Sequence, residues 1–462
     1  VAGGVRVGVA FDDVTLEPSP TWTYLTDTDH LVAAYSISRG RQFEFDKTDT
    51  GTAMVTVYDQ DGVLDPTNSF GPYYTKIEPL LQIKVDLWNP VTSAWSTRFR
   101  GFIEDFNYGV DPSQKVTRLE VSCVDLFEIL TAIEMQPGQF GDTPPAQSAD
   151  NIFFDNATVQ DRITQVLGNA GIPSAMYVVF TGNVYNAESV YSPSENVLQV
   201  IQDAADAEFP TVSNVYCDRS GRVVFHGRLA KFDPTGTADS AGATAWPLNG
   251  WDGTGSPPDA WKVGDGAAVA AAISDTAQIR TFAYNRGLSK VFNSAFCTPN
   301  GIVKDFPNQL AQDTTSIGTF GIRSWSAENL LIAAPSGDAL RSPGASILTG
   351  NSALDECALY ADYIKSNYAE PRNRVTEITF RSLDPSDPRA GAVWSFLCSC
   401  DISDVCDVTV TTPGGAGFNL EPFFIEGIRE EAKPLNASYA DVTTSLDLSP
   451  QAYFTAGAWS GD

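Results

Sequence analysis

Two distant stretches of this chain carry the same β pattern. Gly101-Phe102-Ile103-Glu104-Asp105-Phe106 precedes an alternating run from Val116 to Leu126. Phe424-Ile425-Glu426-Gly427-Ile428 precedes another from Ala440 to Leu448. Each block is an Ile-Glu strand, a polar connection, then a period-two strand that ends near Asp-Leu. Period two sends successive side chains to opposite faces of a sheet. A chain with two such β domains can stand for two subunits of a ring. The pattern therefore points to assembly rather than catalysis.

A chain of 462 residues is long enough for roughly three domains, and 43% hydrophobic content supplies their cores. No segment approaches the ~20 apolar residues of a membrane span. The first residues, Val1 to Val7, lack the apolar region of a secretory signal. A start at Val implies that an initiator Met or a leader has been removed. The formal net charge is -28 and no Lys/Arg block occurs, so the electrostatic footprint of a nucleic-acid binder is missing. Such acidity serves solubility, or the wall of a conduit to which DNA must not adhere. Seven cysteines are scattered along the chain, an odd number that cannot all pair. Cys398, Cys400 and Cys406 cluster, but only His30 and His226 could complete a zinc site. Cys398 and Cys400 read as small core residues on one face of a strand, in a protein assembled in a reducing cytoplasm.

Residues 1–130 read as a first antiparallel β-barrel domain. Met54 to Tyr58 and Leu81 to Leu87 alternate, and Asp59-Gln60-Asp61-Gly62 forms a turn. Residues 131–232 read as a small α+β domain. Thr158 is placed to cap a helix stopped by Gly171 and Pro173. Ser192-Pro193-Ser194-Glu195 has capping-box spacing before a second helix. Val215 to Cys217 and Arg222 to Phe225 form a hairpin. Residues 233–275 are a Gly/Ala/Pro-rich linker loop. Residues 276–462 read as a second β-barrel domain with one inserted helix at about 352–367. The fold class is thus mainly β with an α+β insertion: two similar antiparallel β-barrels plus a small α+β domain.

Catalytic motifs are missing: no nucleophile elbow, phosphate-binding loop or zinc-protease helix occurs. Asp59-x-Asp61-Gly62-x-x-Asp65 resembles a calcium loop, but its flanks read as strands and its last ligand does not fit. His226 reads as a structural strand residue and His30 as a solvated loop residue. The expectation is a non-enzyme with neither cofactor nor metal.

Several short segments run in a telling order. They are Pro18-Ser19-Pro20-Thr21-Trp22, Ile37-Ser38-Arg39-Gly40-Arg41, Thr50-Gly51-Thr52-Ala53 and Asp59 to Asn68. Asp218 to Arg222, Trp261 to Gly266, Glu370 to Val375 and Leu446 to Pro450 follow. In that order the chain resembles the minor tail proteins of long-tailed actinobacteriophages, a family similar to tail and baseplate hubs. The resemblance implies tail-tube-like barrels and a homotrimer whose six barrels form a pseudo-sixfold ring. Such a ring joins a sixfold tail to a threefold tip. Implied partners are the distal tail ring protein, the tape measure protein and tail-tip or receptor-binding proteins, with DNA passing unbound. The location implied is the virion tail tip, after assembly in the host cytoplasm. Some hubs extend into a lysin domain; the end of this chain about fourteen residues past Leu448 implies none.

Candidate assembly contacts are Arg39, Gly40, Arg41, Asp61, Gly62, Asp65, Pro66 and Asn68, which also read as local strand and turn residues. A receptor- or carbohydrate-binding protein of the tail tip is the alternative, with Trp246, Trp251 and Trp261 as an exposed stacking surface. A cell-wall hydrolase would need a carboxylate pair that nothing in the sequence singles out.

Overall fold

A computed structural model describes residues 4–25, 30–59, 62–111, 116–142, 151–180, 185–210, 212–228, 261–264, 276–300, 310–333, 353–411, 417–419, 423–436 and 438–450. Twelve strands carry the architecture. Six lie near the N-terminus: β1 Val5–Val9, β2 His30–Gly40, β3 Asp49–Asp59, β4 Gln82–Asn89, β5 Ala94–Asp111 and β6 Val116–Val124. Six lie later: β7 Trp261–Gly264, β8 Thr276–Asn285, β9 Arg374–Arg381, β10 Val405–Thr411, β11 Phe423–Pro434 and β12 Ala440–Pro450.

The first six pair in the order β1-β4-β5-β6-β3-β2. The second six pair in the order β7-β10-β11-β12-β9-β8. These are the same order, each strand replaced by the one six places on. The duplication expected from the two Ile-Glu blocks is therefore a duplication of topology. The later unit is a closed six-stranded barrel, because β7 also pairs with β8 in parallel. The first barrel, expected at 1–130, is not seen to close among the described residues, where no ladder joins β1 to β2. From Tyr35 to Gly40 the outer edge of β2 is given to β11 of the later unit. The start of β1 meets the β11–β12 hairpin tip, where a Cβ on Gly4 would lie 2.7 Å from the backbone N of Ala440.

Alternation explains the strands. β3 buries Ala53, Val55 and Val57, exposes Met54 and leaves Thr56 half-buried. One apolar core unites both β units. Helix α6 (Ala390–Ser399) crosses the seam and touches strands of both. A second core holds the α+β layer. There α1 (Leu126–Ala132), α2 (Val159–Asn169), α3 (Val197–Glu208) and α5 (Ala353–Tyr368) pack around Phe209, Tyr360 and their neighbours. The short α4 (Thr314–Phe320) lies in the same region, where Ser316 donates to the Ala369 carbonyl.

Several expectations hold. Thr158 caps α2 by accepting the Asp161 N–H, and Gly171 follows with φ +75°. The hairpin pairs Asn214–Cys217 with Val223–His226. Others are corrected. α3 is capped by Asn196, whose carboxamide oxygen accepts the Gln199 N–H at 2.8 Å. Ser192 turns the chain earlier by bonding Ser194. Cys398 lies in α6 with Cys400 as its cap, not on a strand. α6 is buried nearly all round, so it shows no polar face to mark it as a helix. His30 opens β2 opposite Asp59, and the strand expected from Val291 begins at Ser294. The linker 233–275 contributes β7 to the barrel. The seven cysteines are unpaired and buried.

Candidate assembly interface

The junction of the two β units is a ladder with polar anchors. β2 pairs with β11 from Tyr35 opposite Ala432 to Gly40 opposite Gly427. At its end Gly40 has φ +91°, and a Cβ there would come within 2.3 Å of the Glu426 carbonyl oxygen. That close approach and positive φ require glycine. Beyond it, Arg41 donates from its backbone N–H to the same carbonyl at 2.9 Å. Its Nε meets the Glu426 carboxylate at 2.8 Å.

Two more ion pairs lock this seam. Arg98 of β5 reaches Glu430 of β11 at 2.9 Å, each side chain only 1% exposed. Glu430 also accepts from Tyr35 Oη at 2.7 Å and Thr444 Oγ1 at 3.2 Å. Arg98 donates in addition to the Cys400 carbonyl at the end of α6. Arg39 meets Asp401 at 2.8 Å, and the Arg219 backbone N–H reaches the other Asp401 oxygen at 3.0 Å. A one-residue slip of β2 against β11 would turn Arg39 and Tyr35 to the opposite face. The anchors therefore fix the register.

Position decides the charge state of two neighbouring carboxyls. Burial alone would raise Asp401, but Arg39 and Arg219 hold it below its ordinary value. Burial pushes Asp404 up to about 7, despite the Trp261 indole N–H at 2.9 Å. Burial likewise lifts Asp125 to about 7, although it accepts the Gly51 and Phe127 N–H groups.

The candidate residues from the sequence fall in three places. Arg39, Gly40 and Arg41 meet at the junction just described, engaged within the chain. Gly62, Asp65, Pro66 and Asn68 form a self-closed turn outside it. Gly62 has φ +66°, Asn68 Nδ2 donates to its carbonyl at 2.8 Å, and Asp65 accepts from Thr67 at 2.8 and 2.7 Å. Pro66 is exposed. Asp59 accepts the Val63 and Leu64 N–H groups, a turn function rather than a calcium ligand set. Asp61, Trp246 and Trp251 lie outside the described residues. Trp261 is half-buried, edge-on to Phe396.

The sequence reading missed a second layer of repetition. Glu104 and Glu426 each occupy a β-bulge in their hairpins, opposite Ser122–Cys123 and Asp447–Leu448. Beside each bulge lies a non-glycine residue with positive φ: Leu80 at 66° and Ser403 at 70°. Leu80 donates to the Ile103 carbonyl and Ile103 to that of Leu81. Ser403 and Ile425 repeat the exchange through Asp404. β2 is irregular between Val32 and Ala34, and β8 between Ile279 and Thr281. Following the ladders carries Tyr35-Ser36 onto Phe282-Ala283, and beyond Ala283 a second irregularity shifts the register.

No protein-family model matches this chain, and no curated protein matches it by sequence. Solved structures do share its fold. A tail protein from Neisseria meningitidis MC58 is 13% identical with a TM-score of 0.50, over 99% of this chain and 98% of that one. A 43 kDa tail protein of prophage MuSo2 from Shewanella oneidensis is 10% identical with a TM-score of 0.52, over 97% and 99%. At such identity the likeness is one of fold, and it spans the chain from end to end.

Proposed function

We propose that this chain is a structural hub of a phage tail tip, from a long-tailed phage of actinobacteria as the sequence resemblance implies. Three copies form a ring. Each contributes two six-stranded units, so the ring is pseudo-sixfold and can join a sixfold tail to a threefold tip. One observation carries this reading: a single chain holds two units of one strand order, joined edge to edge by a ladder. Two joined units repeated three times make six.

The ring surrounds the channel used by the tape measure and then by DNA. An excess of 57 acidic over 29 basic residues supports passage without adhesion, because phosphates are repelled. A role without catalysis agrees with the chemistry of the interior. Asp125, Asp404, Glu426 and Glu430 each accept hydrogen bonds from this chain, and such bonds serve the fold.

Antibody fragments against the purified chain test the location on intact particles by negative-stain electron microscopy. The expected result is label at the distal end of the tail. Label along the tube, on the head, or nowhere on particles that contain the chain would overturn the reading.

A further inference from the structure

We infer that a cleft between the turn after β2, helix α3 and the strand Ser324–Leu330 is a binding site for one neutral sugar ring. The inference goes beyond the proposed ring of three chains and does not rest on it.

The cleft is built from three stretches of chain. Residues 41–48 follow β2, α3 contributes Gln202, Ala205 and Asp206, and Ser324–Leu330 supplies Trp325 and its neighbours. Asn214, the first residue of the hairpin strand Asn214–Cys217, completes the wall. The space between them is about 260 Å³. That is a little less than sites for drug-sized ligands provide, and it suits a single ring with its substituents.

Asn214 points to a ligand. It is 2% exposed. Its Oδ1 accepts from Thr48 Oγ1 at 2.9 Å, which holds the carboxamide in place. Its Nδ2 is buried and has no hydrogen-bond partner in the chain. A buried donor of this kind is costly and calls for an acceptor. The cleft that Asn214 lines is where one can arrive from outside.

The rest of the wall defines the chemistry of that acceptor. Trp325 is half-buried, packed on the second core while also lining the cleft. An indole held from behind offers a fixed apolar surface to a ligand. Lys47 lies 3.8 Å from Asp203 and 3.4 Å from Asp206. This pair adds an ammonium donor and a carboxylate acceptor at the partly exposed rim. Charge does not select an ion. Arg41 and Lys47 share the wall with Asp46, Asp206 and Glu328, and Arg41 is already paired with Glu426. A cation would bring no acceptor for Asn214, and an anion would meet the carboxylates. A hydroxyl both donates and accepts. A sugar ring carries several hydroxyls around an apolar C–H face, so it answers the amide, the ion pair and the indole together.

Saturation-transfer NMR and calorimetry on the full chain test the site with glucose, galactose, arabinose and N-acetylglucosamine as probes. The expected result is binding of at least one of them in the millimolar range, weak as befits a single ring. Asn214→Leu should weaken it on the order of tenfold or more. The double change Lys47→Ala with Asp206→Ala removes the rim pair without altering net charge and should do the same. The rim residues are partly exposed, so this second chain keeps the test decisive if thermal unfolding shows that Asn214→Leu does not fold. No binding of any probe up to tens of millimolar would overturn the inference. So would binding that the rim change leaves untouched. Either failure leaves the location of the chain on the particle, read by antibody labelling, unaffected.

Discussion

Among the described ion pairs, Arg98–Glu430 is the most deeply buried, each side chain almost wholly out of solvent. Removing one partner strands a buried charge. Arg98→Met should therefore destabilise the chain by about 3–5 kcal/mol, read from urea unfolding. The double change with Glu430→Gln should cost less than the sum of the single changes. Asp404 gives a pH test. Its folded value of about 7 stands above the ordinary 3.8, so the folded state keeps a proton that the unfolded state releases. Below pH 3.8 both states hold that proton and the group costs nothing. As pH rises towards 7 stability falls, by at most about 4 kcal/mol for this group, and the loss is constant above. Asp404→Asn keeps an acceptor for the Trp261 indole and should flatten that slope. An unchanged profile between pH 4 and 7 would contradict the assignment.

At the scale of elements, Gly40 seals the seam between the two β units. A Cβ there would meet a carbonyl oxygen at 2.3 Å. Gly40→Ala should cost about 2 kcal/mol or more in folding stability, read from thermal unfolding.

The same elements show what was legible in the sequence. Long alternating strands such as β3 were, because one face is buried and the other is wet. The hairpins β5–β6 and β11–β12 were legible through Ile-Glu, which marks a shared bulge. Helix α6 was not, since Val393, Trp394, Phe396 and Leu397 bury opposite sides and erase the helical period. Strand β7 was hidden in a stretch of loop composition, and only its parallel neighbours β8 and β10 make it a strand. Arg39 and Arg41 stood out as residues, but their ion pairs join positions hundreds of residues apart that no local pattern connects.

At the scale of the whole molecule, one chain carries two units of the same strand order, joined along β2 and β11. The later unit closes as a barrel. Two joined units repeated three times give the proposed pseudo-sixfold ring. The most direct test is an electron-microscopy reconstruction of the purified chain with symmetry left free. The account predicts a threefold ring of six similar lobes around a channel. A compact monomer or a twofold dimer would contradict it.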